Sequence, residues 1–148
     1  MNPISPAHFA AKQTGLTARL LAGRRRAVAA GRRPAGTVPF GYRAAGTTLE
    51  IHPEEAEIVR RMFRLYLTAS IQKIERLFAA EGLRTRRGKR WSKAGVAWIL
   101  NNRTYIGESH MGPIRHWAAH PPLIAMIVFA KVKKRLGMRR KDIGRYYY

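Results

Sequence analysis

Residues 82–107, GLRTRRGKRWSKAGVAWILNNRTYIG, decide how this chain is read, because charge, helix signals and apolar spacing change together within them. Arg84, Arg86, Arg87, Lys89, Arg90 and Lys93 crowd a segment too rich in glycine and polar residues to be core. They face water or a polyanion, and phosphate is the better partner for so dense a cluster. Ser92 stands where an N-cap belongs, its hydroxyl placed to accept from a free amide of the first turn. Val96, Ile99 and Leu100 follow at helical spacing, which predicts a helix of about ten residues. Its open face carries Lys93, Gly95, Ala97 and Asn101, small or polar side chains that let a helix approach a groove. The plain alternative is a solvated basic loop ahead of an ordinary packing helix.

Composition points the same way. The chain has 148 residues, one domain in size, and 46% of them are hydrophobic, enough for a modest core. Its 29 Lys and Arg face 8 Asp and Glu, a formal charge of +21 that exceeds what solubility needs and repels itself. A polyanionic partner relieves that repulsion, and nucleic acid is a better candidate than an anionic membrane, which needs a helix with one clean apolar face and a basic flank. The absence of cysteine excludes disulfides, thiol catalysis and cysteine-based zinc sites. His116 and His120 are four apart, as on one helix face, but no acidic ligand lies near, so neither a metal nor a cofactor is expected. No leader pattern opens the sequence, and the longest apolar run, residues 123–130, is far short of the roughly 18 that suggest a membrane span. A cytoplasmic protein without a membrane partner is the expectation.

Outward from the central stretch, residues 53–67 hold the clearest helix. Pro53 sits at the first helical position and Glu54 and Glu55 complement the dipole of the first turn. Ile58, Met62 and Tyr66 line one row, and Val59, Phe63 and Leu67 the next. Ser70 predicts the cap of a helix to about residue 81, with Ile71, Ile74, Leu77 and Phe78 inward and Gly82 ending it. Two helices then flank a basic loop longer than the turn of a strict helix-turn-helix, anchored to the core through Trp91. Upstream, Phe9, Leu16, Leu20 and Leu21 predict a connector helix through about residue 30, closing on an arginine cluster. Residues 31–43 read as an ordered linker docked by Phe40 and Tyr42, and TLEIHP as a short strand before a turn. Downstream, Tyr105 and Ile106 predict an extended segment, residues 123–136 a last helix, and residues 137–148 a frayed basic tail. The fold class is mainly α: a helix-turn-helix-like domain over 31–136 with short extended segments, behind a connector helix over 1–30.

The motifs together resemble the recombinase domain of the large serine recombinases, the integrases and transposon resolvases of phages and mobile elements. Pro39, Phe40, Gly41 and Tyr42 match the motif that ends that family's linker, and PEEAEIVRRMFRLYL is its next segment almost word for word. Gly82, Leu83, Thr85, Gly88 and Trp91 match its loop; Ile99, Leu100, Asn102, Tyr105 and Gly107 its following helix and turn; Phe129, Val132 and Leu136 its closing helix. Among the departures are His52 in place of an acid, Ala80 in place of Asn, Arg103 where Pro is common, and AMIV where acids usually begin the last helix.

The resemblance implies a non-catalytic module that binds double-stranded DNA, truncated or separately encoded, working with a catalytic recombinase chain or a second copy of itself. The family's nucleophilic serine domain and zinc ribbon have no counterpart: Ser5, Ser70, Ser92 and Ser109 are the serines, two of them read as caps, and there is no cysteine. The residues assigned to DNA are Arg32, Arg33, Arg84, Arg86, Arg87, Lys89, Arg90, Ser92, Lys93, Asn101, Asn102 and Arg103. Arg and Lys are expected on phosphates, and Ser92, Lys93, Asn101 or Asn102 nearer base edges. An RNA-binding basic protein and a non-functional remnant are the alternatives.

Overall fold

The computed structural model describes residues 6–34, 36–111 and 113–143, with side chains over 15–34, 36–111 and 113–138. The elements follow in the order α1 (Pro6–Ala29), β1 (Tyr42–Ala45), β2 (Thr48–Ile51), α2 (Pro53–Tyr66), α3 (Ile71–Ala80), α4 (Lys93–Asn101), a 3-10 turn (Arg103–Ile106), β3 (Ser109–Met111), β4 (Ile114–His116) and α5 (Met126–Ile143). Helices dominate, as expected, and the strands form two antiparallel hairpins, β1 with β2 and β3 with β4.

Helix α2 is the centre of the core. His52 caps it, its ring accepting from the Glu55 amide at 3.4 Å, and Pro53 and the two acids complete the start. Ala56, Val59, Met62, Phe63 and Tyr66 are buried, whereas Ile58 is half-buried and Leu67 is 36% exposed. The apolar stripe is therefore turned toward Ala56 relative to the two rows expected. Ser70 caps α3 by accepting from the Lys73 amide at 3.1 Å. Gly82, at φ +71, ends it, with the Leu83 amide reaching the Phe78 carbonyl and the Gly82 amide that of Ala79. That paired closure needs a left-handed residue, which glycine adopts without strain. Ile74 and Phe78 of α3 and Val96, Ile99 and Leu100 of α4 complete the inner faces, with Phe129 and Val132 of α5.

The linker docks as its aromatics predict. Tyr42 is fully buried and donates to the Pro121 carbonyl at 2.7 Å, and Tyr105 donates to that of Phe40 at 2.7 Å. The two phenol rings stack with centroids 6.0 Å apart. Gly41, between Phe40 and Tyr42 in the chain, has φ +96, and a Cβ there would stand 2.8 Å from Leu123 Cδ1 and 3.1 Å from Val59 Cγ2. Only glycine lets the backbone come so close.

Several expectations are corrected. TLEI pairs with a strand the sequence did not announce, residue Tyr42 opposite Ile51 and Ala45 opposite Thr48. Tyr105 and Ile106 lie in a 3-10 turn, because Asn102 caps it and Gly107 ends it in the left-handed region; the extended segment begins at Ser109. Leu123 and Ile124 are buried ahead of the last helix, since both their amides donate to the Tyr105 carbonyl, and α5 starts at Met126. Helix α5 then continues through the expected tail to Ile143; residues 144–148 lie outside those described. His116 is on β4 and His120 in the loop beyond it, so they share no helix face, and no group of three or more potential metal ligands occurs among the described residues. The end of α1 packs on the second hairpin with Val28 buried; the Phe9 side chain is outside the described residues. No described helix is long and apolar enough to cross a membrane.

Candidate nucleic-acid interface

The basic loop is an ordered, tight structure. Arg84 and Arg90 form an antiparallel bridge, the Thr85 amide donates to the Lys89 carbonyl at 2.8 Å, and the Gly88 amide returns to the Thr85 carbonyl at 2.9 Å. The Thr85 hydroxyl accepts from the Lys89 amide at 3.2 Å. Trp91, 6% exposed, fixes the loop to the core and meets the Phe40 ring edge-on at 4.9 Å. These bonds hold the two sides of the loop together. Arg84, Arg87, Lys89 and Arg90 are exposed.

Arg86 is exposed too, over 42% of its side chain, but is bound differently. Its Nε and Nη2 donate to the two oxygens of Glu55 at 2.9 and 2.6 Å, Nη1 to the Val38 carbonyl at 2.9 Å, and Nη2 also to the carbonyls of Tyr42 and Pro39 at 2.8 and 3.2 Å. Glu55 in turn accepts from the Gly41 amide at 2.9 Å. Burial pushes the Glu55 carboxyl up, but the bonds from Arg86 and Gly41 and the nearby charge of Arg86 outweigh it and hold it below the ordinary carboxylate value.

Immediately beyond the loop, Ser92 accepts from the Gly95 amide at 3.0 Å, the capping bond its position predicts. Its hydroxyl is thereby engaged with the helix. On the outer face of α4 stand Lys93, Ala94, Trp98 and Asn101, while Gly95 and Ala97 are half-buried. Trp98, 59% exposed, is a surface residue that the sequence reading does not assign to the interface. Its signal was its place opposite the stripe of Val96, Ile99 and Leu100, where an aromatic has no core to join. The residues closing α4 hold one another. Asn101 donates to the Ala97 carbonyl and accepts from Lys133, both at 2.8 Å. Asn102 caps the 3-10 turn through the Thr104 amide at 3.0 Å. Arg103 donates to the fully buried Glu108 at 2.8 Å and lies over the Trp117 ring at 5.1 Å. At the linker, Arg32 is exposed, whereas the half-buried Arg33 reaches the Gly46 carbonyl at 3.5 Å and its amide donates to that of Thr47 at 2.7 Å.

The twelve expected contacts thus divide. Arg32, Arg84, Arg87, Lys89, Arg90 and Lys93 present outward charge; Arg33, Arg86, Ser92, Asn101, Asn102 and Arg103 are tied into the fold.

A family model described as Recombinase matches residues 53–139. Among solved structures, a crystal structure of an LSR–DNA complex superimposes with TM-score 0.70 at 22% identity, covering 83% of this chain and 38% of its own. A structure from work on the sequence requirements of the Listeria innocua prophage attP site gives TM-score 0.70 at 23% identity, covering 80% of this chain and 51% of its own. The present chain therefore spans about half or less of those proteins. No curated protein matches it.

Proposed function

This chain belongs to the recombinase family, and on that premise we propose that it is a double-stranded DNA-binding module of site-specific serine recombination, without phosphodiester chemistry of its own. The observation that carries this reading is the ordered loop just ahead of α4, which holds Arg84, Arg87, Lys89 and Arg90 outward with no side-chain acid partner among the described residues. Cations fixed on a rigid loop neutralise phosphates with little ordering cost, and a short capped helix beside them fits a groove. Lys93 and Trp98 on that helix are the side chains free to reach base edges. Support also comes from the LSR–DNA complex that shares the fold.

In this reading residues 1–30 connect to, and residues 31–136 form, the DNA-binding unit, and a catalytic recombinase chain or a second copy supplies the remaining machinery, in the cytoplasm where the DNA is. The test is incubation of the purified chain with duplexes and plasmids carrying candidate attachment sequences. Saturable duplex binding without a covalent protein–DNA product is expected; a serine-linked adduct overturns the non-catalytic reading, and absence of binding overturns the whole proposal.

A further inference from the structure

We infer that Arg86 is a positioning residue, a clasp that fixes the basic loop against the linker, and not one of the cations that touch phosphate. This rests on the duplex-binding reading above. Arg86 and Arg87 are adjacent in sequence and both exposed, yet only Arg86, with 42% of its side chain accessible, is bonded into the fold, its planar fork meeting three parts of the chain at once: Glu55 on α2, the carbonyls of Val38 and Pro39, and that of Tyr42. The turn around Gly41 aims several carbonyl oxygens at one place, and a guanidinium, with five donors in fixed geometry, can serve them together where an ammonium cannot. Glu55, with 12% of its side chain exposed, has its two oxygens filled by Arg86 and the Gly41 amide. Moving Arg86 to a phosphate would leave that largely buried carboxylate with the Gly41 amide alone and take the side-chain donor from the part-buried Tyr42 carbonyl. Beside the clasp, Trp91 holds Phe40, whose carbonyl Tyr105 takes. Linker and loop are thereby one rigid body, and the outward arginines on each keep a fixed spacing.

Two substitutions separate the clasp from a phosphate contact because the alternatives predict opposite signs. Glu55→Gln removes the charge that Arg86 pairs with. Were Arg86 a phosphate ligand restrained by Glu55, its release would raise affinity for any duplex and steepen the plot of log affinity against log salt by about 0.9. The clasp predicts affinity lower by about five- to tenfold, a usual size for coupling between sites, with a slope no steeper. Arg86→Lys keeps the charge and loses the fork; the clasp predicts a similar loss, a phosphate contact nearly unchanged affinity. Binding is measured at a temperature where each variant is folded, since a residue that only adds stability would lower the melting temperature and leave affinity unmoved. That result overturns the inference. Should neither variant fold, the Arg86 Nε–H resonance of the unaltered chain decides: unmoved on adding duplex DNA supports the clasp, displaced overturns it. An unaltered chain that binds no duplex removes the DNA-binding reading first, and this inference with it.

Discussion

Arg87 and Trp98 are the residues on which phosphate and base contacts separate. Arg87 is exposed on the tip of the loop, so Arg87→Ala should weaken binding to all duplexes alike and flatten the salt dependence by roughly 0.9, the share of a single neutralised phosphate. Trp98 has no charge to release counterions. Its replacement by Ala should instead narrow the gap between a site selected from a random pool and a scrambled duplex, by about 1 to 3 kcal/mol, the usual worth of one base contact. Asn101, held between the Ala97 carbonyl and Lys133, should matter less to that gap than Trp98. Affinities at four salt concentrations on the two duplexes check all three substitutions. An unchanged slope for Arg87→Ala would mean that the loop is only a solvated surface.

At the scale of elements, everything that presents the loop depends on α2. Phe63 is fully buried and lies 6.2 Å from the Tyr105 ring and 6.1 Å from that of Phe129, so it joins α2 to the turn after α4 and to α5. Phe63→Ala should cost about 3 to 5 kcal/mol, the usual range for emptying a buried aromatic site. A domain of this size has little more than that to lose. Coincident thermal melts for the variant and the unaltered chain would show that this face of α2 does not carry the core. Local pattern and structure agree where a helix is amphipathic and capped, as α2, α3 and α4 are. They part at residues 103–124, where tertiary hydrogen bonds override local pattern: the Tyr105 carbonyl captures both Leu123 and Ile124, and apolar residues that read as the start of a helix become loop core.

Over the whole molecule the dominant quantity is charge, +21 on 148 residues. The acids are few, and Glu55, Glu57 and Glu81 are each held below the ordinary value of 4.5, mainly by arginine. A carboxyl with a depressed folded value contributes stability that is in place above the unfolded value and is lost as pH falls through the folded one. Stability from these groups should therefore be level from neutrality to about pH 4.5 and fall steadily below it. Protonating the acids also leaves the 29 basic residues unopposed, which steepens the fall. Urea midpoints at pH 7, 5 and 3 test this, and Glu55→Gln should show the shallower decline. Equal midpoints at pH 5 and 3 would mean that the arginine pairs do not hold the fold.

Read alone, the sequence determined the mainly helical class, the caps at Ser70 and Ser92, the anchoring of Trp91 and Tyr42, and a basic loop before a short helix. Each of these is written in local spacing, charge and side-chain chemistry, which neighbouring residues along the chain display. Only the tertiary structure decided which cations are bonded into the fold. Arg86 and Arg87 are indistinguishable as letters, and their difference is made by Glu55 and by carbonyls more than forty residues upstream. Asn101, Asn102 and Arg103 likewise read as DNA contacts in the sequence, whereas folding brings Lys133, the Thr104 amide and Glu108 beside them. A side chain's charge belongs to the sequence, but the partner that engages it is set by folding, because bonds between distant segments form only when the core brings them together.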